Sequence, residues 1–293
     1  MDEFEALTVR WRAAVDQAEM DEARRLGDEA VSLAAEIGDP ALRRRAECNR
    51  AQILIELGEG DSVVASLRQV LTESREPETS FWTAYGLARA YDIKHETRKA
   101  TFYVRLAKHH LSAVTNRQAH FAAHNQAGCM LLGDSRFEDA SAEFETALSV
   151  GSSTFWEAFA QDNLGYCYVV MGRFAEGMSY LYRSLRTLRH AGHSYVRYPH
   201  LALSLAHLDL ARPASAARHG RKALDLSNEA GDGESAKMAL YLLGETAKHT
   251  GNYALARSYF DSLQARFYPE NPRLPDALLT VDTRQMVNLK AQV

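Results

Sequence analysis

Small and apolar residues recur along this chain at the spacing of helix turns, and the recurrence itself repeats. Residues 121–148 (FAAHNQAGCMLLGDSRFEDASAEFETAL) and 237–264 (KMALYLLGETAKHTGNYALARSYFDSLQ) align when Gly128 is set against Gly244. An alanine then follows twelve residues on in both, Ala140 and Ala256, and a phenylalanine sixteen on, Phe144 and Phe260. Residues 162–185 (DNLGYCYVVMGRFAEGMSYLYRSL) fit the same frame around Gly165. Carried along the chain, the frame gives one anchor per unit at Trp11, Ala51, Ala88, Gly128, Gly165, Ser204 and Gly244, which are 37 to 40 residues apart. Twelve past each anchor stand Ala23, Val63, Ala100, Ala140, Gly177, Ala216 and Ala256. Side chains this small let two antiparallel helices approach closely, so these positions predict the crossing points of helical hairpins. Sixteen past stand Gly27, Leu67, Val104, Phe144, Leu181, Gly220 and Phe260, and nineteen past stand Ala30, Val70, Ala107, Ala147, Ser184, Ala223 and Leu263. The i, i+4, i+7 spacing gives every second helix one buried stripe.

Turn residues fall where that frame needs them. Gly58, Gly172 and Gly251 separate the two helices of a unit, and Gly38, Gly192 and Gly231 separate units, each placed as a left-handed C-terminal cap. Pro40, Pro77 and Pro199 sit in or beside inter-unit connections and Pro213 in the turn of the sixth unit, where a missing N–H costs least. Pro269, Pro272 and Pro275 close the seventh unit. The expected organisation is an all-α repeat domain over residues 1–267, a proline-containing linker at 268–275, and a capping helix at 276–293 whose Leu278, Val281, Val287 and Leu289 cover the last repeat.

The stretches NLGYCYVVMGRFAEG and YLLGETAKHTGNYALARSYF carry a large residue, then Leu-Gly, Tyr, a turn Gly, Ala and Phe at fixed offsets. In this the chain resembles the tetratricopeptide repeat (TPR) family, up to about residue 267. The 37-to-40-residue period exceeds the usual ~34 of that family, as in kinesin light chains and the repeat domains of bacterial peptide-responsive regulators. The resemblance implies a right-handed α-solenoid of about seven helix-turn-helix repeats whose first helices line a concave groove. Mapped onto this sequence, the groove positions are Arg45, Gln52, Trp82, Tyr85, Arg89, Asn125, Phe159, Asp162, Tyr166, Tyr198 and Tyr241, with Cys48, Met238 and Glu245 beside them. Aromatic and hydrogen-bonding side chains of this kind bury much area at low entropic cost and can bond an extended peptide backbone. Asn49 and Asn163 match groove-facing asparagines of the family. The Lys and Asn pairs that some members use to clamp a terminal carboxylate are not reproduced.

Composition excludes more than it selects. With 293 residues, 46% hydrophobic, 25% charged and a net charge of −4, the chain is neither disordered, nor collagen-like, nor a disulfide scaffold. No global basic field draws it to nucleic acid or an anionic membrane. The opening MDEFEALTVRW has no basic segment leading into an apolar core, and the richest apolar run, Leu164 to Met171, is flanked by Asp162 and Arg173. No secretory signal or membrane span is therefore expected. Cys48, Cys129 and Cys167 lie far apart in no metal-binding spacing, and packed free thiols in a reducing cytoplasm are the simple reading.

Chemistry finds no foothold. GxxxxGK[ST], GxSxG and HExxH are absent, and no alternating strands exist to carry them. His120 and His124 share a helix face, His109 adjoins His110, and His190, His193 and His200 are loop-spaced, yet none has the further ligands of a metal site. No catalytic residue, metal or cofactor is expected. Charge is polarised instead. Residues 1–40 hold eleven acidic and four basic side chains, while 173–222 hold nine basic and two acidic. Arg183 and Arg186 form a basic strip on the outer side of the fifth unit, continued by Arg218, Arg221 and Lys222 in the sixth. The expected function is a non-catalytic adaptor that takes a peptide or helix of a partner protein in its groove. A ligand- or peptide-sensing regulatory role is the alternative, and RNA binding through the basic strip a third. Nucleic acid and membrane are not the expected partners, and head-to-tail self-association through the acidic start is left open.

Overall fold

The computed structural model describes residues 2–17, 19–190, 194–284 and 287–290. Among these residues it holds fifteen α-helices. They are α1 (Asp2–Asp16), α2 (Met20–Ile37), α3 (Pro40–Glu56), α4 (Val64–Glu73), α5 (Pro77–Ile93), α6 (Thr97–Leu111), α7 (Arg117–Gly133) and α8 (Phe137–Val150). There follow α9 (Thr154–Val170), α10 (Phe174–His190), α11 (Arg197–Asp209), α12 (Pro213–Glu229), α13 (Gly233–His249), α14 (Tyr253–Phe267) and α15 (Leu274–Thr280). Short 3-10 turns lead into α4 (Gly60–Val63) and α11 (Ser194–Val196). All seven anchors fall on odd-numbered, first helices. First and second helices alternate as the period predicts, and the pairs α1/α2, α3/α4, α5/α6, α11/α12 and α13/α14 pack on each other as hairpins.

The small-residue positions are buried as expected. Ala23, Ala100, Ala140, Ala216 and Ala256 are fully inaccessible and Val63 nearly so. Gly165 and Gly177 show why the crossing demands small residues. A Cβ on Gly165 would stand 2.9 Å from the Gly177 carbonyl oxygen, and one on Gly177 would stand 2.7 Å from that of Gly165. In the sixth unit the anchor Ser204 meets its crossing partner directly, its hydroxyl donating to the Ala216 carbonyl at 2.9 Å. First helices also pack on first helices, α3 against α5 and α11 against α13. The stack thereby presents a face of first helices, the general plan of an all-α repeat solenoid.

Helix ends use local chemistry. The side chains of Asp39, Asp232 and Asn252 accept from the N–H groups of Ala41, Ser235 and Leu255, and Pro40, Pro77 and Pro213 open α3, α5 and α12. Gly58, Gly172 and Gly251 have φ of 81°, 77° and 74°. The same place, seven past the anchor, is held in the third, fourth and sixth units by His95, Ser135 and Ala211 with φ of 56°, 59° and 53°. Glycine marked this turn in three units only, but the left-handed residue is common to all six in which it is described. Of the inter-unit caps, Gly38 and Gly231 have φ of 74° and 66°; Gly192 lies outside the described residues.

The described residues fall into two compact units. Unit 1 comprises Met1–Met130 and Glu145–Trp156, and unit 2 comprises Leu131–Phe144 and Glu157–Ala291. In unit 1 the core begins with Phe4, Leu7, Trp11, Leu26 and Ile53 across α1 to α3 and continues through Leu54, Leu67 and Leu87. In unit 2, Leu164, Leu181, Leu203, Leu242 and Phe260 are wholly inaccessible.

The terminal element departs from expectation. Instead of a helix over 276–293, α15 starts at Leu274 within the stretch read as a linker, and stops at Thr280. Pro275 stands in its first turn, where it favours helix. Leu278 is buried as the cap reading requires, but Val281 is 49% exposed, and 281–284 and 287–290 have no regular structure. A helix that continued past Thr280 would forgo the side-chain contacts that Thr283, Arg284, Asn288 and Lys290 make with the helices of unit 2.

Candidate functional site

In unit 1 the first helices α1, α3 and α5 border a cleft of about 340 Å³, lined by Thr8, Arg12, Arg45, Cys48, Asn49, Glu76, Glu78, Thr79 and Trp82. Of the positions mapped to the groove, residues 45, 48, 49 and 82 line this cleft together. Trp82 is half-buried and meets Phe81 and Tyr85 edge-on at 4.9 and 5.6 Å between ring centroids. These contacts fix the indole without covering it. Arg45 lies 5.3 Å over the Phe4 ring and is bidentate to Glu5, both nitrogen–oxygen distances being 2.8 Å. Exposed Arg12 adds positive charge to the cleft.

Cys48 is a packed thiol. It is 2% exposed and lies 3.6 Å from the Thr83 hydroxyl; burial pushes its pKa up to about 11, against hydrogen bonds from Thr83 and Gln52. Gln52 is thereby turned to the thiol. Arg89 is committed elsewhere: both its terminal nitrogens bond the Glu56 carboxylate, one at 3.0 Å. Burial works against the Arg89 charge, and Glu56 more than reverses this, raising its pKa. On α7, Asn125 keeps a buried side-chain oxygen without a partner among the described residues.

In unit 2 the predicted positions fall into two groups. Phe159 and Tyr198 belong to an aromatic cluster: Phe159 is edge-on to Tyr195 at 4.9 Å, and Tyr195 stacks on Tyr198 at 5.7 Å. Arg197 lies 4.5 Å over the Tyr198 ring and pairs with Asp232 at 2.7 Å. That pairing removes Arg197 from the free basic run. Burial raises the Tyr198 pKa to about 12, opposed by Arg197. The second group, Asp162, Tyr166 and Tyr241, is 4%, 0% and 5% exposed. These three are covered by the segment after α15, through contacts with Thr283, Asn288, Leu289 and Lys290. Periodicity could not find this segment, because it belongs to no repeat and its contacts span up to 156 residues.

A third feature is a buried histidine cluster between α11 and α12. His200, His207 and His219 are 4%, 6% and 5% exposed. The Nδ1 atoms of His200 and His219 are 2.7 Å apart, His207 stacks on His219 at 5.4 Å, and Tyr182 from α10 reaches His207 Nε2 at 3.3 Å. Burial lowers the His200 pKa to about 3, helped by His219, Arg189, Lys222 and Arg218. It lowers that of His219 to about 4 and depresses His207 as well. The expectation that His200 is a loop-spaced surface residue is therefore corrected: α11 begins at Arg197, which turns His200 inward. His193 lies outside the described residues, and His120 bonds the Val114 carbonyl at 2.7 Å. No group of metal-ligand spacing occurs among the described residues.

The basic-strip residues Arg183, Arg186, Arg218, Arg221 and Lys222 are all exposed, on α10 and α12. Within the described residues, no helix is long and apolar enough to cross a membrane.

No protein-family model matches the chain, and no curated protein matches it. Solved structures do resemble it. A Rap protein crystallised in complex with Competence and Sporulation Factor superposes with a TM-score of 0.67 at 14% identity, over 82% of this chain and 69% of that one. PilW, a type IV pilus biogenesis factor, gives 0.59 at 20% identity, over 80% of this chain and 98% of that one. A tetratricopeptide repeat protein from Parabacteroides merdae gives 0.51 at 15% identity, over 98% of this chain and 100% of that one. The chain has the tetratricopeptide-repeat fold, as the spacing of its small residues implies.

Proposed function

We propose that the chain is a non-catalytic adaptor that captures a segment of a partner protein on its first-helix faces. The carrying observation is the unit 1 cleft, where a fixed but uncovered Trp82 stands among Arg12, Arg45, Asn49 and Thr79. An aromatic anchor ringed by hydrogen-bonding groups is what binding hot spots are made of. Arg89 is left out of this surface, because Glu56 already holds it. The Rap structure with its bound factor supports the alternative of a ligand-sensing regulator. Neither reading uses a cofactor.

The test is crosslinked affinity purification from the native organism, wild type beside the Trp82→Ala/Arg12→Glu double variant. A loss of 2 kcal/mol or more at a hot spot, about thirtyfold in affinity, strips the partner from the variant. Equal recovery by two equally stable proteins overturns the unit 1 assignment. Recovery of a small peptide rather than a stable protein selects the sensor.

A further inference from the structure

Unit 2 holds a site of different chemistry, on the face made by α9, α11 and α13. The segment after α15 contacts these helices in reverse order. At α13, Lys248 donates to the carbonyls of Leu278 and Val281 at 2.6 and 2.8 Å, and the Tyr241 and Thr283 hydroxyls are 2.9 Å apart. At α11, Arg284 pairs with Asp209 at 3.5 Å. At α9, the Tyr166 hydroxyl donates to Asn288 Oδ1 at 3.0 Å and accepts from the Leu289 N–H at 2.8 Å. Asn288 Nδ2 donates to the Leu132 carbonyl at 2.8 Å. Lys290 Nζ donates to Asp162 Oδ2 at 2.5 Å and Asn163 Oδ1 at 2.7 Å.

The receiving face is acidic and desolvated. Asp162 and Glu245 are 4% and 2% exposed, and burial raises the pKa of Asp162, Asp209 and Glu245 alike. A buried carboxylate requires a cation: Asp162 takes Lys290 from the segment and Glu245 takes Lys248 from its own helix, while the more exposed Asp209 pairs with Arg284. Asp162 also keeps its Oδ1 buried with no partner among the described residues, so the seat has unused accepting capacity. The covering segment, by contrast, is held almost wholly by polar groups. Past Leu278 none of its described side chains is buried. The contacts of Val281, Arg284 and Asn288 are exposed or part-buried and contribute little net stability each, and even the buried Lys290–Asp162 pair offsets much of its attraction by desolvation, so the segment is seated by specific chemistry but is not welded in by apolar burial.

We propose that this face of unit 2 is a docking site for an extended cationic peptide, and that its resident occupant is the segment seen at residues 281–284 and 287–290, which an incoming segment displaces. The occupant shows what the partner carries: a side-chain amide for Tyr166 and Leu132, then, two residues on, a lysine for Asp162 and Asn163. The idea rests on first-helix faces being binding surfaces, but on none of the residues of the unit 1 cleft.

The probe is a fluorescein-labelled synthetic peptide of residues 281–293, VDTRQMVNLKAQV, read by fluorescence anisotropy against the full chain. In the wild type the resident segment competes; in the Asn288→Ala/Lys290→Glu variant it is weakened, and the peptide binds about tenfold tighter. Adding Asp162→Asn to that variant removes the gain, whereas adding Trp82→Ala leaves it unchanged. A peptide carrying Lys290→Glu fails to compete, and this control makes no demand on the folding of any protein variant. Equal affinity of wild type and variant, no binding to the variant, competition by the altered peptide, or sensitivity to Trp82→Ala each overturns the proposal. Loss of the affinity-purified partner through Trp82 with the peptide result absent would separate failure here from failure of the unit 1 reading.

Discussion

Lowering the pH from 7.5 to 5.0 provides a sharp test of the buried histidine cluster. Above about pH 6.5 the rings are neutral in both the folded and the unfolded chain, so the cluster gives no pH dependence. Below it, the unfolded chain takes up protons that the folded one refuses, because folded His200 and His219 stay neutral down to about pH 3 and 4. Stability therefore falls as the pH drops below 6.5 and stops falling only when the folded rings protonate. At pH 5.0 each histidine is about 1.5 units below its unfolded pKa, and at about 1.36 kcal/mol per unit the pair costs about 4 kcal/mol. His207 shifts in the same direction and adds to the loss. Against a typical total of about 5–15 kcal/mol this is a large fraction. Urea unfolding at the two pH values measures it, with the His200→Gln/His219→Gln variant as reference, since the other titrating groups are common to both proteins. The wild type is expected to lose about 4 kcal/mol more than the variant between the two pH values. Equal losses would show that solvent reaches these rings and that their burial does not hold them neutral.

Four further outcomes are expected. Ala211→Gly relieves a left-handed alanine at φ 53° and raises stability by about 1 kcal/mol in thermal or urea unfolding. Gly165→Ala places a methyl 2.8 Å from Leu181 Cγ and 2.9 Å from the Gly177 carbonyl, and overpacking of this kind costs about 1–3 kcal/mol in the same assay. Glu56→Gln strands the mostly buried Arg89 charge and destabilises by about 3 kcal/mol, more than the Glu56→Leu/Arg89→Met double variant, which leaves neither charge buried. With iodoacetamide at pH 7.5, buried Cys48 and Cys167 are alkylated only after urea unfolding, because access to both is closed and burial holds Cys48 as the thiol; fast labelling of Cys48 in the native protein would contradict its pKa of about 11.

The fold was legible in the sequence because helix crossing leaves a periodic trace: a small residue twelve past each anchor and apolar residues sixteen and nineteen past. The left-handed turn was half legible, since Gly58, Gly172 and Gly251 advertise it while His95, Ser135 and Ala211 adopt it under tertiary constraint. Side-chain pairing left no such trace. Nothing in the spacing of Arg89 and Glu56 shows that they neutralise each other. The histidines had a usable signal, because His200 stands four before its anchor and His219 fifteen after, on either side of the Ser204–Ala216 crossing. The segment over α9 to α13 had none. Its partners are set by three-dimensional proximity, so Lys290 and Asp162, 128 residues apart, carry no mark of each other in one sequence.

The turn seven residues past each anchor has a consequence for how such a chain changes its length. Its left-handed geometry recurs in all six units where it is described, with the residue filling it free to vary between Gly, His, Ser and Ala. The junction is thus set by the fold rather than by any one side chain, and a hairpin can be duplicated or removed without inventing a new joint. Gene duplication can therefore lengthen the first-helix face in steps of one 37-to-40-residue cassette, and a bound segment would gain or lose contact in the same quanta.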